Sequence, residues 1–184
     1  FLTSAQYQLL QNAIRQVMPA FAKTYRAALE SPVFRSQFGL APWEEELIQV
    51  DHGYRDPSPL ARMDSFFMPG SDLSPQMDGM QELYFTEYNA ETPAANAYND
   101  VLSNVFLGLP VMGAFQRRYE VHPLPGRHHV LHAMLDAYRQ WGGKERPRIA
   151  ILDWREVPTY SEFMLFQDYF ASQDFECLIA DPRQ

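Results

Sequence analysis

Two short polar runs in this sequence contain residue types that could bind a magnesium ion and a phosphate group. One run holds Arg62 and Asp64, and the other holds Glu87 and Asn89. Within each pair one residue intervenes, and side chains alternate along a strand, so each pair would share a face of its strand. If the two strands are neighbours in a sheet, one guanidinium, two carboxylates and one carboxamide meet on a single surface.

That combination of groups favours phosphate chemistry. Mg²⁺ prefers oxygen ligands and is usually held by one or two protein carboxylates, while substrate phosphates and water complete its shell. The planar guanidinium of Arg62 matches the geometry of phosphate oxygens. The sequence therefore predicts a magnesium and phosphate face that combines Asp64, Glu87 and Asn89 with Arg62 beside them.

The same residues resemble a known family. The Arg-x-Asp run at Arg62 and the Glu-Tyr-Asn-Ala-Glu-Thr-Pro run that begins at Glu87 resemble the ATP-grasp part of glutathionylspermidine synthetases and of the related circularly permuted ATP-grasp proteins. The resemblance implies that Arg62 is the catalytic phosphate clamp and that Asp64, Glu87 and Asn89 are metal ligands. It also implies that ATP and Mg²⁺ are the cofactors.

This sequence departs from the family pattern at two places, one within the second run and one in the interval between the two runs. Glu91 and Thr92 are expected to contact substrate, although the family usually has Asp where this chain has Glu91. Residues 68–81 are long for a turn and predict an extended hairpin loop, another departure from the family pattern.

Four functions follow from these residues and stay open at this point. The first is an ATP-dependent ligase that joins a small-molecule or peptide carboxylate to an amine, or to a thiol, through an acyl-phosphate. The second is a non-catalytic relative that binds a nucleotide or a peptide. The third is a hydrolase using Asp64 and Glu87 as acid and base, which Arg62 disfavours because a neighbouring cation keeps carboxylates ionised. The fourth is an ordinary charged sheet surface facing water.

Composition narrows the setting of this chemistry. The chain has 184 residues, of which 46% are hydrophobic, and a net charge of −8, which predicts a globular protein without a nucleic-acid or anionic-lipid surface. No apolar run is long enough to span a bilayer, so no membrane association is expected. Cys177 is the single cysteine, within an apolar run that predicts a buried structural thiol, and the expected location is the reducing cytoplasm.

The positioning elements predict an α+β protein. Helical periodicity covers residues 4–30, with Ser4 as the cap and Pro19 as a kink or break. Strands are predicted at residues 61–68 and 83–88 as ATP-grasp-like antiparallel strands surrounded by helices. This part should form one domain, residues 1–145, that carries the polar face.

The last segment predicts the beginning of a small α/β domain at residues 146–184, resembling the substrate-side domain that accompanies ATP-grasp modules. A strand at 148–153, a helix from Thr159 to about residue 172 and a strand at 175–181 would form a parallel unit. Thr159 and Glu162 predict a capping box for that helix.

The loop after the first of these strands should lie at the edge where open α/β sheets place ligands. It holds Asp153, Arg155 and Ser161, expected as substrate contacts, with a bracing Asp153–Arg155 ion pair as the alternative. The chain begins without Met, and its lysines are Lys23 and Lys144, neither at a nucleotide-gripping position. The expectation is therefore a truncated piece of a ligase, inactive alone.

Overall fold

The computed structural model describes residues 1–68, 82–90 and 92–184, which form an α+β structure. It divides into two compact units, Phe1–Glu91 and Thr92–Gln184. The first unit contains α1 (Ser4–Glu30), α2 (Pro32–Arg35), a 3₁₀ turn (Ser36–Phe38), α3 (Pro42–Leu47), β1 (Ala61–Met68) and β2 (Glu82–Ala90). The second contains α4 (Asn96–Leu107), α5 (Pro110–Gln116), α6 (Gly126–Trp141), β3 (Ile149–Leu152), α7 (Tyr160–Ser172) and β4 (Cys177–Ala180).

The hairpin loop predicted at residues 68–81 lies outside the described residues except for Met68, the last residue of β1. No helix in the described ranges is long and apolar enough to cross a membrane.

The first helix has the predicted extent but a different beginning. Thr3, rather than Ser4, is the N-cap, because its hydroxyl accepts the Gln6 amide while the Gln6 side chain accepts the Thr3 amide. This reciprocal capping satisfies two backbone donors that have no partner within the helix. Pro19 lies inside α1 and does not break it.

A buried arginine ties the end of α1 to the segment that follows it. Arg35 donates to the carbonyl oxygens of Ala28 at 2.7 Å and Leu29 at 3.2 Å, which are among the last carbonyls of the helix. Its charge is balanced by Glu45 of α3 at 2.6 Å. A buried guanidinium is stable only when its donors are paired in this way, so Arg35 has a structural role in the first unit.

The second unit combines the parallel strands with the helices around them. β3 and β4 pair in parallel, as predicted, and α7 connects them. The boundary expected between residues 145 and 146 falls inside this unit, because α7 packs against both α4 and α6. Its buried apolar side chains come from both sides of that boundary, and they include Ala97, Met112, Val130, Leu131, Ile149 and Phe170.

The N-terminus of α6 is capped by a side chain from α4. Asp100 accepts the Gly126 amide at 2.6 Å, the Arg127 amide at 3.1 Å and the Arg127 Nε at 3.0 Å. Burial alone would raise the pKa of Asp100, but these hydrogen bonds outweigh it and hold the pKa below its usual value. The carboxylate is thus ionised at neutral pH and stabilises the positive end of α6.

Gly126→Ala should destabilise the second unit, because α4 and α6 approach each other closely at this glycine. A Cβ there would lie 2.6 Å from the carbonyl oxygen of Asn96. We expect a loss of about 1–3 kcal/mol in urea unfolding. The matched control is Gly113→Ala in α5, where a Cβ meets nothing within 4 Å and helix propensity should leave stability equal or higher. Equal stability of the two variants would contradict the close approach.

Candidate metal and phosphate site

The four polar side chains predicted to converge lie on one face of the β1–β2 hairpin. The strands are antiparallel, and their register places Arg62 opposite Asn89 and Asp64 opposite Glu87. Directly opposed side chains share a face and have Cβ atoms roughly 5 Å apart. The register therefore brings the whole set into one small surface.

The other face of the hairpin packs against α1. Met63 and Tyr88 are opposed across the strands and alternate with the polar set. The Tyr88 ring stacks on Phe21 of α1 with ring centroids 4.0 Å apart. Because side chains alternate along a strand, the polar face is turned away from α1.

A β-bulge lies beside the carboxylates. After the Asp64–Glu87 pair the register continues with Ser65 opposite Phe85, so that Thr86 is the extra residue on β2. The Thr86 hydroxyl donates to the carbonyl oxygen of Asp64 at 3.1 Å. Bulges bend and twist a strand and are enriched near active sites, where they change the direction of a side chain. The bulge at Thr86 lies between the part of the hairpin that carries Asp64 and Glu87 and the end that carries Met68 and Glu82.

Asp64 is the centre of the hydrogen bonding on this face. Arg62 Nε donates to Asp64 Oδ1 at 2.6 Å, and Arg62 Nη2 lies 3.3 Å from Oδ2. Asn89 Nδ2 also donates to Oδ2, at 3.3 Å. The hydrogen-bonded guanidinium of Arg62 holds the pKa of Asp64 below its usual value. With 43% of the Arg62 side chain and 35% of the Asp64 side chain exposed, the pair remains accessible to a ligand.

Glu87 differs from Asp64 in having no compensating partner. It is exposed, and among the described residues it forms no ion pair and no side-chain hydrogen bond. It nevertheless stands directly opposite the ionised Asp64. Like charges directly opposed in a sheet are destabilising, so the sequence retains an unfavourable pair at this point.

The donor set on this face fits what Mg²⁺ requires of a protein. Two carboxylates and one amide oxygen are hard ligands, and phosphate oxygens and water normally fill the remaining positions. Asn89 donates its Nδ2 to Asp64, so its amide group would have to turn for Oδ1 to bind a metal together with the two carboxylates. Within the described ranges no three His, Cys, Asp or Glu side chains are grouped to enclose a metal. A metal on this face would therefore share its shell with substrate oxygens.

Glu91 and Thr92, which are predicted to contact substrate, are not among the residues described on the polar face of the hairpin. Glu91 lies outside the described residues. Thr92 belongs to the second unit, is exposed and has a left-handed φ of 32°. A threonine in this region is strained, and such strain is concentrated at functional sites and turns. The substrate contacts predicted for Glu91 and Thr92 stay predictions.

The three residues predicted as substrate contacts after β3 are hydrogen-bonded within the second unit; Asp153 and Arg155 lie in the loop, and Ser161 is in the first turn of α7. Asp153 accepts the amide of Trp154 at 2.7 Å. The Arg155 amide donates to Asp181 at 3.3 Å, and the Ser161 hydroxyl is hydrogen-bonded to the hydroxyl of Tyr98. These contacts leave their roles toward a substrate as predictions.

The ion pairs at this end of the parallel strands involve residues that the sequence did not single out. Among the described residues, Arg183 bridges the buried Asp181 and the exposed Glu156, with Nη2–oxygen distances of 2.5 and 2.6 Å. Arg183 holds the pKa of Asp181 well below its usual range. The bracing pair considered for Asp153 and Arg155 is thus replaced by this network, because Asp181 follows β4 directly and lies beside the loop.

Glu162 was misassigned by the local sequence pattern. Thr159 makes no side-chain capping hydrogen bond, so the predicted capping box of α7 is wrong. The Glu162 carboxylate instead accepts the Ala95 amide at 2.9 Å and the Ala97 amide at 2.8 Å, at the beginning of α4. Only 2% of Glu162 is exposed. Nothing in the residues near Glu162 indicates so distant a partner.

The single cysteine has no features of a nucleophile. Cys177 is the first residue of β4 and is half-buried. Burial raises the pKa of its thiol above the usual value. A thiol is reactive as its thiolate, so Cys177 is protonated and unreactive at neutral pH.

The chain matches no family model, and neither curated proteins nor solved structures give a significant match.

Proposed function

We propose that the polar face of Arg62, Asp64, Glu87 and Asn89 binds magnesium and the phosphates of ATP within an ATP-grasp carboxylate–amine ligase. The observation that carries this proposal is the pairing of Asp64 with Glu87 across the two strands. Two opposed carboxylates on an exposed surface repel each other, and a divalent cation between them would convert that repulsion into attraction. The proposed substrates are a small-molecule or peptide carboxylate and an amine, and the proposed location is the cytoplasm.

Arg62 has a defined part in the proposed chemistry. Its ion pair with Asp64 keeps the guanidinium in place on the face. When the carboxylate is taken up by a metal, the planar fork of Arg62 can turn to a phosphate oxygen, whose geometry it matches. The positively charged fork would then stabilise negative charge that develops on the transferred phosphoryl group.

The proposed reaction has two balanced steps. A substrate carboxylate oxygen attacks the γ-phosphorus of ATP, which forms the acyl-phosphate and releases ADP. The amine nitrogen then attacks the acyl carbon, and inorganic phosphate and a proton leave. Mg²⁺ would neutralise the negative charges of the phosphates. Positioning of the reacting groups provides most of the remaining rate acceleration in phosphoryl transfer. No nucleophilic side chain is required, in agreement with the unreactive Cys177.

A second candidate is nucleotide binding without turnover. Lysine usage would support it if the whole protein also lacks lysines at such positions, because ATP-grasp ligases, which this sequence resembles, normally use lysines to hold nucleotide phosphates. The lysines of this chain are Lys23 in α1 and Lys144 after α6, and neither lies on the hairpin. Binding of ATP with magnesium but without ADP formation would favour this second candidate.

Glu87→Gln should weaken magnesium-dependent ATP binding by about tenfold or more, because it removes one of two carboxylate ligands at nearly constant shape. Isothermal titration calorimetry with ATP, in the presence of magnesium and in its absence with a chelator, measures the effect. The wild-type protein should bind ATP only when magnesium is present.

Glu82→Gln is the matched control for that measurement. It makes the same chemical change on the same strand, at the end of β2 remote from Asp64, where Glu82 is opposite Met68. This variant should bind ATP as the wild type does. Magnesium-independent binding, or equal losses in the two variants, would contradict a metal site at Glu87.

A further inference from the structure

A cavity of about 320 Å³ lies within the first unit, between α1 and the segment at residues 48–57. One wall is a single stripe of α1, formed by Ala22, Tyr25, Arg26 and Leu29 at spacings of three and four residues. The volume is in the range of small-molecule sites. Nothing in the function proposed above uses this cavity.

The cavity is separate from the hairpin face. It is built on α1, and α1 contacts the hairpin through Phe21 and Tyr88. Tyr88 alternates with the polar residues and projects from the opposite side of β2. A ligand in the cavity would therefore not share contacts with Asp64 and Glu87.

A histidine and a tyrosine are oriented toward each other at the cavity wall. The Tyr54 amide lies 3.3 Å from His52 Nδ1, so Nδ1 accepts this hydrogen bond and the ring proton is on Nε2. Nε2 lies 3.5 Å from the Tyr25 hydroxyl oxygen, at the outer limit of a hydrogen bond. His52 can donate to that oxygen, which leaves the hydroxyl proton of Tyr25 to donate to a ligand.

The charged groups around the cavity are balanced. Arg26 and Arg55 supply two guanidinium groups, and Asp51 and Asp56 supply two carboxylates. Asp51 accepts the Gly53 amide at 2.8 Å, which fixes the turn of this segment. Arg26 and Asp56 make no ion pair with any described residue. Arg26 and Asp56 thus offer one cationic and one anionic group, a combination that suits a ligand with no net charge.

The remaining wall is aliphatic. Ile48, Val50 and Pro57 face Ala22 and Leu29 around the same cavity. Small-molecule sites commonly combine such apolar walls with a few convergent polar groups that fix the orientation of the ligand. The composition is suited to a molecule with one positive group, one negative group and a short hydrocarbon chain.

We propose that this cavity binds a small aliphatic zwitterion of the α-amino-acid class. Arg26 and the Tyr25 hydroxyl bind its carboxylate, Asp56 binds its ammonium group, and the aliphatic wall contacts its side chain. Isolated charges are expensive to desolvate, and a ligand that carries both signs compensates the two protein charges at once. This proposal is independent of nucleotide binding at the hairpin.

The test uses L-leucine as the probe and titration calorimetry without ATP or magnesium. Two analogues each lack one charge: 4-methylpentanoate has no ammonium group, and 3-methylbutylamine has no carboxylate. L-Leucine should bind, and each analogue should bind about tenfold more weakly or not at all, as expected for loss of one charge-assisted contact. Absence of L-leucine binding, or equal binding of either analogue, would overturn the proposal.

Two charge-removing variants locate the binding. Arg26→Gln and Asp56→Asn change exposed side chains that have no ion pair among the described residues, so both proteins should fold. Each should lose about tenfold in affinity for L-leucine. Arg15→Gln, on the same helix and bonded only to Asn12 among the described residues, is the matched control and should bind as the wild type does. Unchanged affinity in Arg26→Gln and Asp56→Asn would place any binding elsewhere and overturn the assignment.

Discussion

Glu162→Ala is expected to lower the stability of the second unit by about 2–5 kcal/mol, because it removes the acceptor of two backbone amides at the beginning of α4, of which the Ala97 amide is buried. Those amides belong to Ala95 and Ala97, and the wild-type carboxylate lies within 2.9 Å of both. The N-cap residue of α4 is an alanine, which has no side-chain oxygen to accept these hydrogen bonds. Ala95 also has φ of 93°, a conformation that an alanine keeps only when its surroundings hold it.

The size of the effect should be visible in thermal unfolding followed by circular dichroism. A loss of this magnitude corresponds to a fall of roughly 10 °C or more for a unit of this size. Glu162→Gln keeps one side-chain oxygen as an acceptor and should lose less. Asp168→Ala, an exposed change on the same helix, should leave the midpoint nearly unchanged. If the Glu162→Ala and Asp168→Ala variants had the same midpoint of thermal unfolding, the Glu162 carboxylate would not be the cap of α4.

The predictable part of this molecule depends on contacts that are close in sequence or follow from periodicity. Alternation along β1 and β2 was enough to place Arg62 with Asp64 and Glu87 with Asn89. Antiparallel pairing then opposed the two sets. The parallel pairing of β3 with β4 also followed from the order of strand, helix and strand. In these places local pattern and tertiary structure agree.

The unpredicted part depends on partners far along the chain. A glutamate three residues after a threonine has the pattern of a local cap, and tertiary structure used Glu162 for another helix. Gly126 follows two prolines and indicated only a break, whereas its lack of a Cβ permits the approach to Asn96. The bulge at Thr86 has no sequence signal of its own, although it adjoins the candidate site. Sequence patterns do not encode which distant backbone groups need a partner.

These two kinds of interaction have different consequences for the candidate site. The carboxylates that cap α4 and α6 accept hydrogen bonds from backbone amides at the helix N-termini, so they already have partners within the fold. Glu87 is the reverse case, an exposed carboxylate opposed to Asp64 with no partner among the described residues. Sequences that break a local rule without structural compensation commonly do so at functional sites. That contrast is the reason to assign chemistry to the hairpin rather than to the buried acids.

Glu87→Gln and Asp64→Asn are each expected to lower magnesium-dependent ATP turnover by about a hundredfold or more. This is the scale of losing one preorganised transition-state contact. Arg62→Lys should also reduce turnover, because an ammonium group cannot reproduce the two-point geometry of the guanidinium. Phosphate release at varied magnesium concentration measures all three variants, with Glu82→Gln as the control expected to retain wild-type rates.

Thermal unfolding separates this loss of turnover from a loss of structure. Glu87→Gln removes a repulsion from Asp64 without removing a hydrogen bond, so the ligand-free variant should unfold at the wild-type temperature or slightly above it. Asp64→Asn loses the ion pair with Arg62 and should unfold somewhat lower. If Glu87→Gln abolishes turnover but leaves the unfolding temperature undiminished, Glu87 contributes to catalysis and not to the stability of the sheet. Full turnover in both carboxylate variants would show that the hairpin carries only a charged surface, and the ligase assignment would then be wrong.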